Sequence, residues 1–246
     1  MDRLIYTAMT GARHVMEQQA TVSNNLANAT TNGFRAQLDS FRAVPVMSDG
    51  LPTRAFVVDS TVGSNFAAGP MQTTGRSLDI AIREQGWLAV QSADGSEAYT
   101  RNGSLRVNEN GLLQTTSGQT LIGDGGPIAV PPDTNITIAS DGTVSTVSTE
   151  FQPGPSNVLG RLKLVNPPTA GLLRGDDGLF RQADGTPAQN DPLVRIVDGV
   201  IEGSNVNPVD SMVNMISLAR QFDMQMSLLK NAENNAAKAT QILALG

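Results

Sequence analysis

The stretch Asn207-Pro208-Val209-Asp210-Ser211-Met212-Val213-Asn214-Met215-Ile216-Ser217-Leu218 opens a run that reaches Leu245 with neither Gly nor Pro. Asn207 can cap a first turn, and Pro208 suits the first helical position because it needs no N–H there. Behind them Met215, Leu218, Phe222, Leu229, Ala232, Ala236, Ala239 and Leu243 recur at three-four spacing, broken only by Gln225. Met212, Ile216, Ala219 and Met226 form a second line beside the first. The spacing predicts one long amphipathic helix with a heptad-like seam. At 1.5 Å per residue it would run roughly 55 Å, longer than a small domain is wide. Such a helix cannot bury its stripe on one compact domain and needs a partner helix.

The N-terminal end offers that partner. Ile5, Met9, Ala12, Met16 and Leu26 keep the same spacing, with Gln19 and Ser23 as polar interruptions and Val15 and Val22 beside them. Gly11 weakens this helix by about 1 kcal/mol relative to Ala. The pattern stops at Asn28-Ala29-Thr30-Thr31-Asn32-Gly33, where Asn and Gly tolerate positive φ. The competing reading is an ordinary helical hairpin with a closed core. His14 falls off the main line and reads as a solvated or interface residue.

The middle of the chain reads as β. Asp94-Gly95, Asn102-Gly103, Asn110-Gly111, Asp141-Gly142, Asp177-Gly178, Asp184-Gly185 and Asp198-Gly199 are turn dipeptides. Between them lie short apolar or alternating runs: Trp87-Leu88-Ala89-Val90, Leu105 with Val107, Ile136 with Ile138, Leu162 with Leu164. Many short strands at close spacing predict an antiparallel sandwich or barrel-like domain, with Trp87 as a core anchor. Between Phe34 and Gly75, Pro45, Pro52 and Pro70 punctuate a weaker signal, read as an extended connector with some strand.

Composition narrows the chemistry. The 246 residues contain no Cys and one His, which removes thiol catalysis, Cys-ligated metals and multi-His sites. A net charge of −6 argues against a nucleic-acid binder held by phosphate contacts. No apolar run approaches the length of a membrane span. No G-x-S-x-G elbow and no Gly-Lys phosphate loop is present. Gly123-Asp124-Gly125-Gly126 reads as a turn, because Ile128 stands where the third fingerprint glycine would be and Pro127 hinders a helix start. Asp176-Asp177-Gly178 lacks the rest of a calcium loop. Six of the nine Met residues lie on the terminal helices: Met9, Met16, Met212, Met215, Met224 and Met226. Met serves equally as core filler and as an adaptable contact surface.

Ser23-Asn24-Asn25-Leu26-Ala27-Asn28, followed by Thr31-Asn32-Gly33-Phe34-Arg35, resembles the N-terminal signature of flagellar axial proteins, the rod and hook proteins of the bacterial basal body. Leu78-Asp79-Ile80-Ala81-Ile82, Gly86 to Val90 and Tyr99-Thr100-Arg101-Asn102-Gly103 look like the start of that family's β domain. Glu202-Gly203-Ser204-Asn205-Val206-Asn207-Pro208 looks like its approach to the C-terminal helix. The opening Met1 to Met9 and the stretch Phe41 to Val46 are most similar to members of the proximal rod. Trp87-Leu88 departs from the two Phe that many members carry, with apolar bulk kept.

The resemblance implies an α+β fold in which long N- and C-terminal helices pair as a coiled-coil layer, with a central antiparallel all-β domain forming an outer layer. Residues 1–36 would form the N-terminal helix of the inner layer, 37–75 an extended connector, 76–204 the β domain and 205–246 the C-terminal helix. Subunit contacts would involve Ile5, Met9, Ala12, Met16, Asn24, Asn25, Leu26 and Asn28 on the first helix. On and before the second they would involve Asn205, Asn207, Pro208, Met215, Leu218, Phe222, Met226, Leu229, Ala236 and Leu243. Asn32, Gly33 and Phe34 would form the motif turn, with Gly33 serving backbone geometry rather than contact. Asn24, Asn25 and Asn28 would end the helix or bond neighbours' backbones.

No catalytic, cofactor or metal site is implied. The expected partners are other rod proteins, copies of the chain and the flagellar type III export apparatus, with no nucleic acid and no membrane insertion. Members are exported without a cleaved signal peptide and assemble in the periplasmic part of the basal body. They form the hollow shaft that transmits torque and encloses the export channel. Alternatives are a distal rod or hook-type axial protein, a secreted carbohydrate- or peptidoglycan-active β-domain protein, and a binding module trimerised by its helices. Head-to-tail contacts between different patches give open assemblies, whereas a trimer would be closed.

Overall fold

The computed structural model describes residues 2–45, 55–148 and 156–244. Met1, Val46, Pro52 and Leu245 lie outside the described residues, as do the side chains of Ala236, Ala239 and Leu243. Contacts divide the chain into two compact units. A helical unit comprises Met1–Ala29, Ala36–Asn65 and Val206–Gly246, and a β unit comprises Thr30–Arg35 and Phe66–Asn205.

The helical unit holds α1 (Asp2–Ala27), β1 (Gln37–Pro45), β2 (Ala55–Ser64) and α2 (Pro208–Ala244). Asn207 caps α2: its Oδ1 accepts the Val209 and Asp210 N–H groups at 3.0 and 3.5 Å. Asp210 adds a carboxylate to the first turn, where the helix dipole favours it. The two helices pair antiparallel, since Ile5 shares a groove with Leu229 while Gly11 faces Gln225.

The covered stripe of α1 is Ile5, Ala8, Ala12, Val15, Gln19, Val22 and Leu26, a strict three-four series. It shares Ile5, Ala12, Gln19 and Leu26 with the line read from sequence, but Ala8, Val15 and Val22 take the places of Met9, Met16 and Ser23, and Met9 and Met16 stay 54% and 58% exposed. Small residues at positions 8, 11 and 12 let the helices approach closely. On α2 the covered line is Met215, Leu218, Phe222, Gln225, Leu229 and Ala232. The polar interruption at Gln225 lies opposite Gly11, which has no side chain to obstruct it.

The segment read as a connector contains an antiparallel ladder, β1 on β2, running from Gln37↔Ser64 to Pro45↔Ala55 with a register shift at Ser40/Phe41. It belongs to the helical unit rather than standing between units. One reason is Asn25, whose side-chain amide mimics a strand edge: Nδ2 donates to the Gln37 carbonyl at 2.9 Å and Oδ1 accepts the Gln37 N–H at 2.8 Å. Thr21 donates to Asp39 at 2.8 Å. His14 meets Glu17 at 3.1 Å and the Phe41 ring edge-on.

The β unit runs through β3 (Met71–Thr73), β4 (Ile80–Ile82), β5 (Trp87–Gln91), β6 (Glu97–Thr100), β7 (Leu105–Val107) and β8 (Leu113–Thr115). Next come β9 (Thr120–Gly123), β10 (Gly126–Pro127), β11 (Thr134–Ile138), β12 (Thr143–Ser148) and β13 (Asn157–Arg161). Last are β14 (Leu164–Val165), β15 (Leu172–Arg174), β16 (Phe180–Gln182), β17 (Ile196–Asp198) and β18 (Val200–Glu202). The main sheet has the order β15-β16-β6-β5-β9-β8-β7, with β10 on β9 and β14 on β5. A three-stranded sheet β11-β12-β13 and the pairs β17-β4 and β18-β3 complete it, and the strand pairings among the described residues are antiparallel.

Strand β5 explains its unbroken apolar run. Leu88 and Val90 enter one core with Ile80, Leu105, Leu121 and Leu164, while Trp87 and Ala89 enter another with Tyr99, Phe180 and Phe66. Alternate residues face opposite sides of a strand, so Trp87 to Val90 are all buried. Tyr99 Oη accepts the Ala188 N–H at 2.7 Å and donates to Glu97 at 3.2 Å. Six of the seven turn dipeptides place glycine at positive φ. Asn102-Gly103 does not: a Cβ at Gly103 would lie 1.7 Å from the Ile80 carbonyl oxygen, so this glycine permits close backbone approach. Gly123 to Gly126 joins β9 to β10 as a turn.

Candidate functional site

In the β unit the motif Gly33-Phe34-Arg35 and the segment Glu202-Gly203-Ser204-Asn205 lie side by side. The Gly33 N–H donates to the Glu202 carbonyl at 2.7 Å, and the Asn205 N–H donates to the Phe34 carbonyl at 3.3 Å. The Glu202 carboxylate, fully buried, binds Arg35 Nη2 at 2.7 Å and Arg101 Nη1 at 3.1 Å. Its Oε1 also accepts the Gly69 N–H at 2.9 Å. Gly203 N–H donates to the Pro70 carbonyl at 2.8 Å, and Asn205 Nδ2 donates to the Ala67 carbonyl at 2.9 Å. One carboxylate therefore fastens segments 33–35 and 67–70 and Arg101 to its own segment, 202–205.

Two guanidinium groups against one carboxylate leave this clasp with a positive excess inside the protein. Among the described residues Arg35 Nε and Nη1 and Arg101 Nε are buried without a hydrogen-bond partner. Burial pulls the Arg101 pKa down, while the Glu202 charge opposes that shift. Arg101 also donates to the Glu84 carbonyl at 2.6 Å and stands 5.6 Å from the Trp87 ring centre. Arg174 stacks over Phe34 at 4.3 Å and donates to the Arg35 carbonyl at 3.0 Å. Arginine suits both roles because its planar fork binds carboxylates and stacks on rings.

Gly33 answers to contact as well as geometry. Its φ is +69°, and a Cβ there would lie 2.3 Å from the Arg101 carbonyl carbon. Phe34 is buried, Asn32 half-buried. Of the candidate residues, Gly33, Phe34 and Asn205 join the clasp. Asn25 is engaged within the helical unit, and Asn28 Nδ2 donates to the Asn24 carbonyl at 2.9 Å. The clasp charges were not singled out as a site from sequence, because nothing local ties Arg35 to Arg101 or Glu202. The available signal was one charge inside each motif-bearing segment.

The helical unit presents a second surface. Val209, Met212, Val213 and Ile216 on α2 are 66%, 52%, 60% and 57% exposed, and Met226 is 46% exposed. These residues include the second line of the sequence pattern, which α1 does not cover. Ile5, Met226 and Leu229 line an apolar groove of about 670 Å³ together with Ser227, Lys230 and Glu233. Scattered exposed apolar residues are ordinary, but a continuous exposed line on one helix marks an interaction surface.

A cavity of about 820 Å³ in the β unit is lined by Phe66, Arg83, Glu84, Arg101, Asp191 and Arg195, among others. Its two carboxylates are outnumbered by three guanidinium groups, and it holds one aromatic ring. Among the described residues no group of three or more His, Asp or Glu could hold a metal ion, and no helix is long and apolar enough to cross a membrane.

Residues 5–35 match the family described as "Flagella basal body rod protein", residues 81–146 the "Flagellar hook protein FlgE/F/G D1 domain" and residues 197–242 the "Flagellar basal body rod FlgEFG protein C-terminal". The chain is 50% identical over 255 residues to the flagellar basal-body rod protein FlgF of Escherichia coli, covering all of both chains. The chain belongs to the flagellar basal-body rod protein family. It is 47% identical over its full length to the protein of the same name from Salmonella typhimurium. It is 29% identical to the flagellar basal-body rod protein FlgG of Agrobacterium fabrum, over 96% of this chain. Each of the three matched stretches supplies one member of the clasp: Arg35, Arg101 and Glu202.

Proposed function

We propose that the protein is a structural subunit of the proximal part of the flagellar rod. It polymerises through its terminal helices into the hollow shaft that transmits torque and encloses the export channel. The uncovered apolar line Val209, Met212, Val213 and Ile216 carries this reading: it remains exposed after α1 has paired with α2. In an assembly it would pack against helices of neighbouring subunits as a coiled-coil layer. The exposed Met9, Met16, Met212 and Met226 suit contacts with non-identical neighbours, because Met side chains adapt their shape. Partners are copies of the chain and other rod proteins, reached through the flagellar type III export apparatus and assembled in the periplasm. The two FlgF proteins at 50% and 47% identity stand above the FlgG proteins at 29% and 32%, which favours the proximal over the distal position. An enzymatic reading finds less support, since the relatives are named as rod proteins and the 820 Å³ cavity of the β unit is rich in arginine.

The test is Ile216→Asp set beside Leu218→Asp. Ile216 is exposed, so its replacement leaves the isolated protein within about 0.5 kcal/mol of wild type. In cells lacking the chromosomal copy, that variant is exported but fails to build rods or restore swimming. Leu218 is buried against α1, so its replacement also disrupts the helix pair in the isolated protein. Normal rods with Ile216→Asp would remove the proposed contact face.

A further inference from the structure

We propose that Glu202 is the positioning residue through which load passes between the terminal segments and the β unit. This inference rests on the rod reading above. The backbone leaves the β unit next to Thr30, Arg35, Phe66 and Asn205. A force carried along the chain from either helix therefore enters through those ends. Among the first cross-links it meets are the bonds gathered on Glu202, beside those of Asn205 to Phe34 and Ala67. The residue's carbonyl holds Gly33, while its carboxylate holds Arg35, Arg101 and Gly69.

The chemistry suits a junction under load. In a dry site ionic hydrogen bonds are stronger than the same bonds in water, and they resist solvent competition. A hydrophobic contact would tolerate sliding, whereas a carboxylate held by one nitrogen from each of two guanidinium groups and by an amide N–H fixes direction. The excess positive charge makes Glu202 the member without substitute: without it, two buried guanidinium groups face each other unneutralised. Arg101 links the junction to β4 as well, because its Nη1 also reaches the Ile82 carbonyl, at 3.4 Å. A pull on residues 33–35 or 203–205 is thus shared with the core strands through ionic as well as backbone bonds.

The experiment compares Glu202→Gln with wild type and with Tyr99→Phe, a control that loses a buried hydrogen bond elsewhere in the β unit. By hydrogen exchange on the isolated proteins, Glu202→Gln exposes the Gly33, Gly69 and Asn205 amides at least about tenfold faster, while Val90 keeps its protection. In complemented cells, Glu202→Gln rods form, but swimming speed falls and filaments are shed as the medium is made viscous. Tyr99→Phe cells behave as wild type at every viscosity. If Glu202→Gln does not fold, Arg101→Lys carries the comparison, since it keeps the charge and loses the fork. Loss of clasp protection with undiminished high-load swimming would overturn the load-bearing role and leave the rod assignment standing. Failure of the wild-type gene to restore swimming to a rod-deficient strain would instead overturn the assignment.

Discussion

Glu202 Oε1 lies 2.7 Å from Arg35 Nη2, although 167 positions separate the two residues and both are essentially inaccessible to water. Removing one partner of such a buried pair costs about 3–5 kcal/mol, because the other charge is left uncompensated. Glu202→Leu should therefore lower β-unit stability by about that amount in denaturant titrations. Arg35→Met added to it should recover part of the loss, because it deletes one stranded charge. A strictly additive double mutant would mean that the two groups do not interact energetically.

Gly33→Ala tests how the motif backbone is seated. Two costs add there: the left-handed φ of +69° and a Cβ placed 2.3 Å from the Arg101 backbone. Gly75 has nearly the same φ, +70°, with nothing within 4 Å of a Cβ. Gly75→Ala should cost about 1–2 kcal/mol from φ alone. Gly33→Ala should exceed it by at least about 2 kcal/mol, since backbone cannot step aside as a side chain can. Equal losses at the two sites would show that Arg101 yields freely.

How much of this was legible in sequence differs by element. The long C-terminal helix, its Asn207 cap and the buried strand at Trp87 follow from local spacing and chemistry, so they could be read directly. The covered line of α1 keeps Ile5, Ala12 and Leu26 from the sequence pattern but takes Ala8 and Val15 in place of Met9 and Met16, because apolar spacing alone cannot choose between adjacent apolar residues. The ladder of β1 on β2 was faint, since prolines dilute the alternation. The clasp was hidden for another reason. Local periodicity carries no information about which charges meet across 167 positions, and a buried Arg looks the same in sequence as a solvated one.

Asp177 gives the acid limb of stability a specific contributor. Arg181 binds both its carboxylate oxygens, at 3.0 and 2.5 Å, and the Leu179 N–H and the Ser92 hydroxyl also donate to it. The Arg181 hydrogen bonds, first among these, hold the Asp177 pKa below its ordinary 3.8. A depressed folded pKa means the contribution is fully present above 3.8 and disappears as pH falls through the lower folded value. The group is about a third exposed, so screening keeps the effect below about 1 kcal/mol. Unfolding titrations should show Asp177→Asn less stable than wild type at pH 7 and converging on it as the acid limb is descended. A gap that persists unchanged at the lowest pH would assign the loss to packing instead of charge.

Gly11 is a place where stability can be gained without touching either charged site. In the middle of α1 it costs the helix about 1 kcal/mol relative to Ala. The three atoms nearest a Cβ there all belong to the amide end of Gln225, Nε2 at 3.1 Å first, and that flexible tip can swing away. Gly11→Ala should therefore raise the helical content and melting temperature of the isolated protein, by up to about 1 kcal/mol in stability. Gly11→Val brings branched bulk against the same neighbour and should reverse the sign, because the two backbones must then separate. If Gly11→Ala also destabilised the helix pair, the approach at this crossing would be set by backbone contact rather than by the movable Gln225 side chain.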